Sequence, residues 1–244
     1  MKDLALDFLN DQVFYADMID WVTRDLAQIL YGGSDGVLLR GPSGIFAMTA
    51  NTRTRANQML DIIESSNCTL MIAHDDISVT SVKQRFAVER TTACLSSVYL
   101  GSGLPEIIRP DLHVETLGVQ WLDTIVANYH MDSPSYLRQR LEAQVILGVF
   151  RDKDLLGFIG QHNEGAMGLL VILPQYRRQA IGEFLLTYLT NQLLSQQRIP
   201  YDHIIVGNQA SEALQRKLGF AISSDQLCWM SLRGDRNRTG PQNE

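Results

Sequence analysis

Cysteine is scarce in this 244-residue chain: Cys68, Cys94 and Cys228 are the only three. An odd count at long spacings excludes a disulfide framework, and without a C-x-x-C pair no zinc or dithiol redox centre is expected. Three reduced thiols suit a cytoplasmic setting. No run of 18 apolar residues occurs, so no membrane-spanning helix and no membrane partner are expected. The opening MKDLALDFLNDQ carries acids inside its apolar stretch and does not read as a secretory signal. A basic surplus is missing too: 21 Lys and Arg stand against 27 Asp and Glu, a net charge of -6. That balance argues against nucleic acid as a partner. His113, His130 and His203 show no ligand spacing, and no metal is expected. What is plentiful is apolar material, 45% of residues, enough for one or two cores.

Spacing of apolar residues divides the chain. Phe14, Met18, Val22, Leu26, Ile29 and Leu30 recur at three and four, predicting one or two helices over 4–30, stopped by Gly32 and Gly33. Strands at 37–40 and 45–49 flank Gly41-Pro42-Ser43-Gly44, a hairpin signal. A helix over 52–65, a strand at 68–73, a helix over 76–86 and a strand at 92–100 follow. Gly101 to Pro105 reads as a linker. Beyond it the expected order is a strand at 113–117, helices over 118–131 and 134–143, a hairpin of 145–151 with 155–161, and a strand at 166–173. A helix over 180–196 comes next, with Ile181, Phe184, Leu185, Tyr188, Leu189 and Leu193 on one face. A strand at 201–206, a helix at 209–217 and a strand at 226–232 close the series. The expected domains are 1–106, 107–232 and a flexible tail, 233–244.

Two matches to other chemistries fail on context. Gly32-Gly33-Ser34-Asp35-Gly36 fits G-x-S-x-G, but a nucleophile elbow needs a strand before it and a helix after. His74-Asp75-Asp76 reads as a helix start rather than a metal site.

The chemistry-bearing stretch is GLLVILPQYRRQAIGEFLL, residues 168–186. A strand ends at Pro174, a loop carries Arg177 and Arg178, and Gly182 falls in the first turn of a long helix. Such a turn exposes unpaired N–H groups and the positive end of the dipole. Glycine admits a ligand close to the backbone, and arginine adds charge-assisted bonds. Together these residue types make a pyrophosphate site.

This arrangement resembles the GNAT superfamily of N-acyltransferases, whose Q/R-x-x-G-x-G/A motif is matched by Arg177-Arg178-Gln179-Ala180-Ile181-Gly182, with Ala180 in place of the first glycine. A second motif, N-x-x-A-x-x-L-Y-x-K-L-G-F, is matched by Asn208 through Leu214, Lys217, Leu218, Gly219 and Phe220. The resemblance covers about half of the chain. It implies an α/β fold: a GNAT-like C-terminal domain, with a mixed, mostly antiparallel sheet flanked by helices, behind an N-terminal α/β domain that is either distinct or a degenerate GNAT-like copy. It implies an acyl-CoA cosubstrate, acetyl-CoA in the first instance, with Leu170, Val171 and Ile172 pairing with the pantetheine arm. Arg177, Arg178, Gln179, Ala180, Ile181, Gly182 and Glu183 would cradle the pyrophosphate, with Asn208 and Gln215 beside the cofactor. A backbone N–H near Val171 or Ile172 would polarise the acyl carbonyl.

Two departures from the pattern bear on catalysis. The family's tyrosine acid is Gln215 here, which cannot donate a proton as an acid. A thiol of pKa near 8.5 lies only ~1.5 units above neutral, so it can leave as thiolate at a cost of about 2 kcal/mol. The L-Q-x-K-L-G run also resembles a glycine-N-acyltransferase-like branch. Val171 stands where many relatives carry a carboxylate, leaving His162 and Glu164, in the QHNEG turn, as candidate bases. The implied activity is acyl transfer to a primary amine of a small or amino-acid-like acceptor; the alternative is an acyl-CoA-binding module without turnover.

Overall fold

The computed structural model describes residues 1–63 and 68–233. The chain divides into two compact units, Met1–Ser96 with Ser223 onward, and Ser97–Ile222.

The first unit opens with short helices α1 (Lys2–Phe8) and α2 (Ala16–Thr23). A meander of β1 (Gln28–Gly33), β2 (Gly36–Arg40) and β3 (Phe46–Ala50) follows. Ile29 and Leu30 therefore lie in a strand, not in the expected helix. Their three-and-four spacing continues by coincidence from α2, and Gly32 and Gly33 lead into a hairpin instead of ending a helix. Ser34 thus sits in a strand–strand turn. Next come α3 (Arg53–Ile62), β4 (Leu70–Ala73), α4 (Asp76–Arg85) and β5 (Val88–Val98). Residues 64 and 65 of the expected helix lie outside the described residues. β3 and β4 are parallel and in direct register, Phe46 opposite Met71 and Met48 opposite Ala73. Their inward faces join Leu38, Met59, Leu60 and Val82 in one core.

The second unit begins with β6 (His113–Thr116). Where one helix was expected over 118–131, a single 3₁₀ turn leads into the shorter α5 (Leu122–Asn128). α6 (Pro134–Glu142) has Ser133 as its cap, the Oγ accepting from Tyr136 N at 3.2 Å. β7 (Ile146–Arg151), β8 (Asp154–Gln161) and β9 (Met167–Ile172) complete an antiparallel sheet in the order β6-β7-β8-β9. α7 (Ile181–Ser195), β10 (Tyr201–Ile205) and α8 (Gln209–Lys217) follow. Period-two alternation sorts the sheet's side chains. Leu147, Val149, Leu156, Ile159 and Met167 pack on Ile181, Leu185, Leu189 and Leu193 of α7. Ile146, Phe150, Leu155, Phe158 and Leu169 pack on Ile125, Leu137 and Leu141 of α5 and α6. Each such buried aliphatic stabilises by about 1.5–3 kcal/mol, so the sheet is held from both faces. The buried stripe of α7 is narrower than its spacing suggested, because Tyr188 is exposed.

The last strand, β11 (Ala221–Leu232), pairs antiparallel with β4, Cys228 opposite Ala73 and Met230 opposite Met71. Residues from 223 onward accordingly belong to the first unit, not to the C-terminal domain, and the chain changes unit at 96/97 and 222/223 where one boundary at 106/107 was expected. The expected linker lies inside the second unit: Asn191 of α7 donates to Leu104 O at 3.0 Å and accepts from Leu104 N at 2.8 Å. The expected tail beyond 233 lies outside the described residues. Helix and strand follow one order in both units: two helices, three antiparallel strands, helix, strand, helix. Among the described residues no helix is long and apolar enough to cross a membrane.

Candidate active site

Among the described residues β9 has a hydrogen-bonded strand neighbour on one side only. β10, next in the chain after α7, lies in a different sheet, so no ladder joins the two. Their starts are nevertheless tied, Tyr201 OH donating to Glu164 O at 2.8 Å. The strands therefore begin together and part, leaving one edge of β9 open. The same step in the first unit is shut: β3 and β4 are laddered, and His74 N extends the pairing to Met48 O at 3.0 Å.

Successive amides along a strand point to opposite sides. Leu173 N–H points back to β8, bonding Leu156 O at 2.9 Å. The backbone groups of Ile172 hence face the open edge, and Arg177 Nε donates to Ile172 O there at 3.1 Å. A bulge precedes them: Leu169 and Leu170 together oppose Ile159, and Leu169 takes a positive φ of 55°. It takes Leu170 out of regular register with β8.

The open edge leads to the start of α7. Arg178 (φ 62°) and Ala180 (φ 59°) are both left-handed, and Ala180 is the N-cap without a side-chain bond. α3, α4, α6 and α8 are each capped by a side chain: Thr52, Asp75, Ser133 and Asn208. At α7 the N-cap residue, an alanine, offers no side-chain cap to the first N–H groups. A Cβ on Gly182 would meet only Ile172 Cγ1 at 3.6 Å and Leu214 Cδ2 at 3.7 Å, so packing does not demand glycine there. The loop is braced from behind. Arg109 Nη1 donates to Gln179 O at 3.1 Å, and Arg109 and Arg151 both hold Asp111, keeping its carboxyl well below the usual carboxylate range.

Of the residues singled out in the cradle, Glu183 is already engaged, bonding Lys217 at 2.5 Å. Asn208 commits its oxygen to the cap, accepting from Ser211 N at 3.2 Å. Gln215 is buried at 2% exposure, with Nε2 donating to Asp202 Oδ2 at 2.7 Å and to Ser211 Oγ at 3.1 Å.

The 162–166 turn, between β8 and β9, is pinned from several sides. Arg198 Nη2 donates to Gly165 O at 3.1 Å, and its Nη1 reaches Gln161 Oε1. Tyr136 of α6 bonds His162 Nδ1 through its hydroxyl at 2.9 Å and stacks on the ring. His162 Nε2 lies over the Cα of Gly168, at the start of β9, where a Cβ would collide with it. Glu164 is buried at 6% exposure rather than solvated. Burial first, and the Glu164 charge second, push the Tyr136 phenol up.

Sequence reasoning missed Asp202. It sits on β10 one residue after the tie at Tyr201, crowded by protein yet keeping some contact with solvent. Burial raises its carboxyl above the ordinary range, against the opposing pull of the Gln215 amide, His162 and the His203 N–H. The one available signal was a carboxylate inside the otherwise apolar and aromatic run YDHIIV.

The other polar cluster is structural. Asp75 caps α4, its Oδ1 accepting from Ser78 N at 2.7 Å, while His74 is fully buried against Asp17 at 3.0 Å. Burial pushes the Cys68 thiol up to about 12, far from a nucleophile's range. Among the described residues no three His, Cys, Asp or Glu side chains gather as a metal site.

Residues 146–230 match the family model for FR47-like proteins. No curated protein matches the chain in sequence. Solved structures share the fold at low identity. A Drosophila protein aligns over 96% of both chains, with a TM-score of 0.65 and 14% identity. A GCN5-related N-acetyltransferase from Kribbella flavida covers 90% of this chain and 96% of its own, at TM-score 0.56 and 12% identity. A putative GNAT-family acetyltransferase from Novosphingobium aromaticivorans covers 86% and 93%, at 0.53 and 15%. The matched segment spans β7 to β11, the parted strands and the start of α7 included, and the fold is one that solved GNAT-family acetyltransferases share.

Proposed function

We propose that the second unit transfers an acyl group, acetyl in the simplest case, from acyl-CoA to a primary amine of a small or amino-acid-like acceptor, by direct attack in a ternary complex. The observation that supports this most is the parting of β10 from β9 along an edge that runs straight into an uncapped helix start. A cosubstrate with an anionic end and an extended, amide-bearing arm suits those two features together.

In this reading the N–H groups of Ile181, Gly182 and Glu183, with Arg178, hold the pyrophosphate. The arm lies along Leu170–Ile172, displacing Arg177 from Ile172 O. Backbone alternation favours Ile172 N–H over Val171 N–H as the oxyanion donor. Six residues of β9 span about 20 Å, which brings the thioester toward the strand's start. There His162 offers Nε2 as base, with Nδ1–H donated to Tyr136, and Glu164 is the second candidate. The amine attacks the carbonyl carbon, the C–S bond breaks with its electron pair on sulfur, the base takes the nitrogen's surplus proton, and thiolate departs.

Thermal unfolding against acetyl-CoA concentration tests the reading. At 100 times the dissociation constant the cosubstrate adds about 2.7 kcal/mol. For a chain of this size that raises Tm by roughly 5–11 °C. Gly182→Glu abolishes the shift, and no shift at millimolar acetyl-CoA refutes the reading. Gln215, which supplies no acidic proton where the resembled family has a tyrosine, favours one rival, an acyl-CoA-binding module without turnover. Thiol release with a panel of primary amines separates the two.

A further inference from the structure

Resting on the acyl-transfer reading above, we propose that the Asp202 carboxyl, positioned by Gln215, is the group that protonates the departing thiol. Three observations support it. Asp202 follows Tyr201, whose hydroxyl ties the starts of the two strands, so it stands where the arm along β9 must end. Gln215 supplies no acidic proton, yet is buried with its amide nitrogen on Asp202 at 2.7 Å and Ser211 at 3.1 Å, which fixes the carboxyl in place. Asp202 also keeps a window to solvent in a crowded setting, as a group that must meet a ligand requires.

Burial favours the neutral, proton-bearing carboxyl, while Gln215, His162 and the His203 N–H pull the other way; the net displacement is upward. Burial first, and the Asp202 charge as a lesser cause, push up the phenol of half-buried Tyr129 at the end of α5. A carboxylic acid so placed is competent as a general acid.

The step balances. The amine nitrogen bonds to the thioester carbon, and the C–S bond breaks with its electron pair passing to sulfur. The Asp202 proton goes to that sulfur. The nitrogen's surplus proton goes to His162 or Glu164 and returns through solvent to the Asp202 carboxylate, leaving amide, free CoA thiol and the starting enzyme.

The test uses the full chain, acetyl-CoA, and hydroxylamine with a panel of primary amines, reading thermal shift and thiol release. Asp202→Asn is isosteric, and the Gln215 amide can turn over to meet it. The expected result is a wild-type acetyl-CoA shift with kcat lowered about 30-fold, the cost of expelling thiolate in place of thiol. Adding Gln215→Tyr, whose phenol donates a proton, restores at least tenfold. Asp202→Asn turnover within threefold of wild type overturns the inference, as does loss of the acetyl-CoA shift in that variant or no recovery with Gln215→Tyr. A wild type that binds but never releases thiol overturns the inference and leaves a binding module. A wild type that does not bind overturns both this inference and the reading beneath it.

Discussion

Two neighbouring residues carry opposite conformational demands. Ala180 holds a left-handed φ of 59°, where its Cβ costs about 1–2 kcal/mol. Ala180→Gly relieves that strain and is expected to raise stability by about 1 kcal/mol, or 2–4 °C in Tm, with acetyl-CoA binding kept. Gly182 is the reverse case. It is helical, and a methyl there meets only Ile172 and Leu214 at ordinary contact distance. Gly182→Ala should therefore fold as well as the wild type, or better by a few tenths of a kcal/mol, while weakening acetyl-CoA at least tenfold. Parallel melting and titration curves check both variants. Loss of folding in Gly182→Ala would mean that the glycine serves packing rather than a ligand.

At the scale of elements, what could be read in advance was whatever is encoded locally. The loop 177–182, the Ser133 and Asp75 caps and the β7–β8 hairpin each leave their signal within a few residues. The parting of β9 from β10 does not, because it depends on which sheet each strand joins after a 15-residue helix has intervened. β1 was hidden for the opposite reason: Ile29 and Leu30 prolong a helical rhythm that ends at Thr23. Asp202 was hidden because its meaning lies in partners on α8 and in the 162–166 turn, far away in sequence. β9 also yields a prediction. Any Cβ at Gly168 collides with the His162 ring, so Gly168→Ala must turn the ring away from Tyr136. Turnover should fall at least tenfold with acetyl-CoA affinity unchanged, and the Nδ1 resonance of His162 should lose its Tyr136 signature. An unmoved resonance with normal turnover refutes this placement of the ring.

Over the whole molecule, the units depend unequally on the chain's later residues. The first has β11 beside β4, with Met230 and Leu232 in its core. The second draws its core from 97–222 alone. Ending the chain after Ile222 should expose β4 as an edge and open the first unit's core, costing about 2–5 kcal/mol for each large buried side chain lost. Amide exchange should then rise throughout 1–96 while α7 and β7–β9 stay protected. Equal protection in both units would contradict that dependence.

The late-arriving strand also sets a timetable. The N-terminal half leaves the ribosome first but lacks β11 until residues 228–231 have emerged opposite β4. The 126 residues of 97–222 must be translated in between, which takes about 6–25 s at roughly 5–20 residues per second. During that interval the nascent chain carries an incomplete sheet whose β4 edge has no partner, while the later-made unit already has every residue of its own core. The order of completion is thus the reverse of the order of synthesis, and the waiting edge is the part of the nascent chain most open to wrong pairing.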